Sequence, residues 1–275
     1  MNTSPSGQAS TGAADAPPRG RGARRTAGLA VTLAVLALLI MVSPGPLYRL
    51  GIVGLGAAFG MIRYGAFAGM AAVALGLLAA VASVVTRAGV RAQASSLIAV
   101  ILGAVAWGVP YFWLRKAEAV PAIHDITTDT RNPPQFLPDV LARRAAAHAS
   151  NSAVYGGAAI AAQQRRAYPD IRPMLFGQPV ASVFAAALRA VKTLGWKLDS
   201  EHPEDGLIEA TSTTLWFGFK DDVVIRIEAQ GSGTRLDIRS ESRIGESDVG
   251  RNAARIRRFR AVLDRELKSA GTDRG

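Results

Sequence analysis

The sequence predicts a helical membrane anchor of three spans followed by a two-layer α+β domain, in which an antiparallel four-stranded sheet carries helices on one face. Three observations predict it. Three charge-free apolar runs of 23 residues lie between Arg25 and Arg115, each long enough to cross a bilayer. Period-two alternation sets in at Trp196 and persists to Ser240, as half-buried strands require. An amphipathic helical pattern stands on either side of that alternation.

The apolar excess is uneven. Hydrophobic residues make up 49% of the 275 and charged residues 19%, below the usual quarter or so for a soluble domain. Cysteine is absent, which excludes disulfide frameworks, thiolate metal sites and cysteine nucleophiles. Of the formal +11, the part up to Leu114 holds 8 basic residues and one acid, or +7, leaving 24 and 20, or +4, for the rest. Most of the positive charge therefore flanks membrane segments instead of forming a nucleic-acid surface.

Residues 1–25 are Ser, Thr, Gly, Ala and Pro with Arg19, Arg21, Arg24 and Arg25, a composition expected to give a disordered basic tail. The three-helix transmembrane region follows over 26–114. Leu50 to Ile62, 13 residues, is too short to cross and reads as an interfacial piece or as an extension of the second span with Arg63 snorkelling. No A-x-A-like cleavage site follows the first run, where Ser43-Pro44-Gly45-Pro46 stands, so that run reads as an uncleaved anchor. Six positive residues (the four tail arginines, Arg87 and Arg91) oppose four (Arg49, Arg63, Arg115 and Lys116). This places the N-terminus in the cytoplasm and the C-terminal domain outside, with Tyr48, Tyr64, Tyr111 and Trp113 at the outer interface. Small residues at four-residue spacing, Gly56/Gly60, Gly65/Gly69 and Ala72/Gly76, would allow close helix packing.

Residues 115–178 read as a linker with short helices, one capped by Asp139 and running to His148, the next starting after Gly156-Gly157. The α+β domain is expected over 179–270. Val180, Val183, Phe184, Ala187, Leu188, Val191 and Leu194 form a helical stripe ending at Gly195. Strands follow from Trp196, with a turn at Pro203 to Gly206. A two-residue loop at Gly231-Ser232 places Ile225 opposite Ile238 and Ile227 opposite Leu236, and it sets Arg226 against Asp237 and Glu228 against Arg235. A slip by two would oppose Arg226 to Arg239, so cross-strand charge selects the first register. A last helix, capped by Ser247 or Asp248, buries Ile256, Phe259, Leu263 and Leu267 and turns Arg251, Arg255, Arg258 and Arg265 outward. The second face of the sheet is expected to stay wet.

Two stretches carry a resemblance. His124 to Thr130 with Pro133-Pro134-Gln135-Phe136, and Asp237 to Gly245 running on through Asp248, Gly250, Asn252 and Arg255-Ile256, come in that order, with Gly195-Trp196, Glu209-Ala210 and Asp221-Asp222-Val223 between them. Over about residues 120 to 268 the chain resembles the bacterial domain-of-unknown-function family 1499 (DUF1499). The resemblance implies a membrane-anchored or exported domain without an assigned activity, and it carries no catalytic residue over.

Candidate sites are few. Arg243, Arg251, Asn252 and Arg255 gather near the start of the last helix, where they would meet a simple cap, an internal carboxylate or an external anion. Asp125 and Asp129 are expected to pair with Arg239 or Arg243, latching the linker to the sheet. Trp216, Phe217 and Phe219 crowd one turn, either closing the core or forming an apolar tip for lipid or ligand. No Walker loop, G-x-S-x-G elbow or H-E-x-x-H occurs, the ligand supply for a metal is poor, and no cofactor is called for. The expected function is a cell-envelope binding or scaffolding module in the bacterial inner membrane, its soluble domain periplasmic and its partner an anionic lipid, glycan or protein. The rival class is an envelope hydrolase using His124 and Asp125.

Overall fold

The computed structural model describes residues 20–272, so the tail expected over 1–25 lies mostly outside the described residues. Arg21 to Arg25 already belong to the first helix. The chain divides into two compact units, residues 1–44 with 53–110, and residues 45–52 with 111–275.

The first unit is helical. Helices α1 (Arg21–Val42), α3 (Leu55–Val85) and α4 (Val90–Glu118) are long and apolar enough to cross a membrane, and the short α2 (Pro44–Arg49) follows α1. Of the two readings of Leu50 to Ile62, the helical extension holds, because α3 begins at Leu55 and runs through Arg63. Buried positions recur every three or four residues: Ala23, Ala27, Ala30, Ala34, Ala37 and Met41 on α1, and Ala92, Ser96, Ala99, Gly103 and Ala106 on α4. On α3 the stripe includes Gly65, Gly69, Ala72 and Gly76. A Cβ on Gly69 would stand 2.8 Å from the carbonyl oxygen of Gly103, so the small side chains set how closely these backbones approach. Gly56 does not take part, being exposed.

The second unit holds one antiparallel sheet of six strands instead of four: β1 (Asp125–Thr127), β2 (Met174–Phe176), β3 (Lys197–His202), β4 (Leu207–Thr213), β5 (Lys220–Gln230) and β6 (Gly233–Ser242). The order is β1-β6-β5-β4-β3, and β1 and β2 share the free edge of β6, at residues 239–241 and 234–236. The two additional strands come from the stretch read as a linker. Three residues are too few for an alternation to register. The β5–β6 register is the one that charge selects, with Ile225 opposite Ile238 and Arg226 opposite Asp237.

Two helices pack on the apolar face. Helix α7 (Val180–Thr193) ends in a Schellman turn, in which Gly195 at φ 67° donates to Lys192 O and Trp196 N–H to Val191 O. Helix α8 (Arg251–Thr272) buries Ile256, Phe259, Leu263 and Leu267, and Phe259 stacks on Trp196 at 5.8 Å. Contrary to the sequence pattern, Arg255 lies on the buried side of α8.

The opposite face is not wet. Phe136 and helix α5 (Pro138–Ala146) cover it, with Phe136 and Val140 packed on Val224 of β5. Asp139 sits in the first turn of α5, while Leu137 occupies the cap position. Helix α6 (Gly157–Ala167) then buries Gln164 against β1. The Gln164 amide accepts from Thr127 N–H at 3.0 Å and donates to Thr127 O at 2.6 Å, satisfying the outer edge of β1 as a further strand would.

Candidate functional site: a buried charged layer

Alternation along β4, β5 and β6 turns Glu209, Asp222, Arg226, Arg235, Asp237, Arg239 and Glu241 toward the covered face. Arg239 is fully buried. Its Nε and Nη2 donate to the two Asp125 oxygens at 3.0 and 2.8 Å, and other guanidinium hydrogens reach Glu241 at 3.2 Å and the carbonyls of Ala153 and Pro134. Phe136 and Tyr155 rings flank its plane at 4.9 and 5.7 Å. A buried guanidinium persists only when its hydrogens find acceptors and its charge finds carboxylates, and both conditions are met here.

The layer continues toward α5. Arg144 donates to Glu241 at 2.9 Å and to Asp222 at 2.7 Å, and Arg243 takes both Asp222 oxygens at 2.7 and 2.9 Å. Arg243 therefore meets Asp222 of β5, the residue registered opposite Glu241, and not Asp125, whose partner is Arg239. Asp125, Glu241 and Asp222 alternate with Arg239, Arg144 and Arg243. Burial, reinforced by the charge of Asp125 and opposed by Arg144 and Arg239, pushes the Glu241 carboxyl up to about 8. Arg144 was not singled out by the sequence; its only signal is that it falls four residues after buried Val140 on one face of α5.

Asp129 joins a second group. Its carboxylate meets Arg235 at 2.7 Å and Arg226 at 3.4 Å, and those arginines share Asp237, so neither Arg239 nor Arg243 is its partner. Burial opposes ionisation of Asp129, but the N–H groups of Asn132 and Arg131 and the charges of Arg235 and Arg226 hold it below the usual carboxylate range.

At the start of α8 the anion position is occupied from within. Asp248 accepts from Gly250 N–H at 2.7 Å and Asn252 N–H at 2.6 Å, and burial raises its carboxyl despite those two donors. Arg255 pairs with Asp221 and reaches Ser240 at 2.9 Å. Asn252 donates to His124 O at 2.7 Å, fastening the strand that begins at Asp125. Of the four residues expected there, Arg251 alone is exposed. His124 Nδ1 lies 3.3 Å from Glu246 O, on a different set of contacts from the Asp125 carboxylate.

Nearly every residue of these networks falls within residues 125–263, which match the family described as a protein of unknown function, DUF1499. The chain belongs to the DUF1499 family. No curated protein and no solved structure matches it. The DUF1499 match opens at Asp125, the first residue of β1, and closes at Leu263 on the buried stripe of α8, so it takes in the whole sheet, its cover, α7 and the first part of α8.

The aromatic turn lies at one end of β4 and β5. Phe217 is buried and stacks on Phe219 at 4.8 Å, and Tyr48 of α2 packs on both at 5.8 and 5.7 Å. Arg49 adds a hydrogen bond to Leu215 O at 2.8 Å. The aromatics thus close neither the main core nor a bare tip; Phe217 and Phe219 lie under the α2 segment, while Leu215 and Trp216 are 91% and 42% exposed. Among the described residues, one trio of metal-capable side chains, His202, Glu204 and Asp205, meets at the exposed β3–β4 turn.

Proposed function

We propose that this DUF1499 chain is a binding or scaffolding module of the bacterial cell envelope, anchored in the inner membrane with its α+β domain on the periplasmic side and its aromatic turn at the bilayer surface. The observation that carries the reading is the closure of the charged layer. Its carboxylates are taken up by arginines, which suits a rigid platform and leaves no free acid–base pair for chemistry. The hydrolase reading needs His124 and Asp125 to act together. They are chain neighbours at a strand entrance, and the Asp125 carboxylate is committed to Arg239.

Two features support the placement. The six-to-four positive count favours a cytoplasmic N-terminus, and three crossings then carry the domain outward. The connector 45–52 and residues 111–275 share one compact unit, as one and three crossings require of segments on the same side. Leu50 and Ile52 are 73% and 65% exposed and, with Leu215 and Trp216, supply apolar surface within the unit that holds the sheet.

The absence of cysteine makes a clean test. Single cysteines introduced at two exposed positions, as Ser232→Cys and Thr86→Cys, meet a membrane-impermeant maleimide in intact spheroplasts. Ser232→Cys should label and Thr86→Cys should not. The reverse pattern would overturn the topology and the envelope assignment with it. A polarity-sensitive dye on Leu215→Cys in nanodiscs should report a lipid environment, and a fully aqueous signal would remove the bilayer contact.

A further inference from the structure

Outside the closed layer, one region of the domain keeps its cations open. The loop after β1 and the start of α6 enclose an open groove of about 600 Å³, lined among others by Thr130, Arg131, Tyr155, Gly157 and Arg165 and by no carboxylate. A second groove of about 470 Å³ shares Thr130, Arg131 and Arg165 and adds Arg172. Its acid, Asp129, is already neutralised by Arg235 and Arg226. Neither Arg131, Arg165 nor Arg172 forms a salt bridge among the described residues; Arg165 reaches only Thr130 Oγ1, at 3.0 Å.

Two independent features mark this groove as more than a solvated basic surface. The Tyr155 hydroxyl is buried and has no hydrogen-bond partner among the described residues, a donor held without an acceptor. Helix α6, 11 residues long, opens on the groove with Gly156-Gly157, with no side-chain cap and no acid in its first turn, so its N–H groups stay bare. The other helix of this domain that begins beside arginines, α8, has its start filled by Asp248.

We infer that this groove binds a phosphate group, gripped by the Arg131 and Arg165 guanidinia, the Thr130 and Tyr155 hydroxyls and the first N–H groups of α6. Donors arriving from three chain segments suit a tetrahedral oxyanion, whose oxygens point in different directions, better than a planar carboxylate. The groove is far larger than phosphate itself, so the group is the end of a phosphoester, either an anionic phospholipid headgroup or a free one. The site goes beyond the proposed function, because it stands whether or not the domain is periplasmic.

The test uses the full chain in detergent, titrated calorimetrically with inorganic phosphate. Saturable binding is expected, weakened about tenfold by Arg165→Gln and by Arg131→Gln, about threefold by Tyr155→Phe, and unchanged by Arg251→Gln, which removes an equal charge elsewhere. All are to be checked for parental melting temperature; Arg131 and Arg165 are exposed and do not hold the fold. In nanodiscs, competition by phosphatidylglycerol but not by phosphatidylcholine would identify the lipid headgroup, and undiminished phosphate binding in both would identify a free phosphoester. No saturable binding by the parent, or equal losses in Arg165→Gln and Arg251→Gln, would overturn the site. Since the maleimide labelling above reads topology alone, the two proposals fail separately.

Discussion

In the three long helices the buried positions are Ala, Gly, Ser and one Met, while large side chains such as Leu36, Leu78 and Val81 are half or more exposed. In the α+β unit the distribution is inverted, with Ile, Phe and Leu inside and one whole layer of the interior given to arginine and carboxylate. The contrast follows from what each unit excludes. Helices surrounded by hydrocarbon gain nothing by hiding leucine, so close packing of small residues holds them together. A sheet in water gains from burying apolar area on one face, and a polar second face can be covered only if every charge brings a partner.

The sharpest break of this contrast is Arg239→Ala. It would leave Asp125 and Glu241 buried beside each other without their shared cation, and the expected loss of domain stability is about 3 to 5 kcal/mol, read from denaturant midpoints of the detergent-solubilised chain. A double-mutant cycle with Asp125→Asn should show strong coupling to Arg239 and near-zero coupling to Arg243, whose partner is Asp222.

Glu241 comes next and gives the layer a pH dependence. Its carboxyl is pushed up to about 8 in the fold from the ordinary 4.5, so between those values the folded chain holds a proton that the unfolded chain releases. Its contribution to stability is therefore full below 4.5 and is lost as pH rises to 8, by up to about 1.4 kcal/mol per pH unit. Glu241→Gln, which imitates the protonated form, should melt with the parent at pH 4.5 and above it at pH 8. Equal melting at both would show that Glu241 is ionised in the fold.

The helical unit is tested by overpacking instead. Gly69→Leu drives a side chain into the Gly103 backbone, with an expected cost of about 1 to 3 kcal/mol and altered proximity of α3 and α4, read by cross-linking of introduced cysteines. The smallest effect belongs to Asp170→Asn. Its pair with Arg257 has short hydrogen bonds of 2.6 and 2.7 Å, but both side chains are about half exposed, so the loss should stay below about 1 kcal/mol. A larger loss would show that surface pairs and the buried layer do not differ as argued.

What the sequence by itself determined about this protein is what repeats locally. Three apolar runs define the long helices, and the stripe from Val180 to Leu194 with Gly195 behind it defines α7 and its end. The register of β5 on β6 was legible because a two-residue turn and a row of opposed charges leave one consistent pairing. The tertiary structure alone decided which aspartate meets which arginine, since Asp125 and Arg239 lie 114 positions apart and no pattern near either names the other. It likewise decided the strands at Asp125–Thr127 and Met174–Phe176, too short to carry a period, and it turned the face expected to be wet into a buried layer. Alternating charged residues read as solvent-facing from any short window. Only the return of Phe136, Val140 and Arg144 across the sheet, bringing apolar cover and the missing cation together, makes burial of those charges favourable.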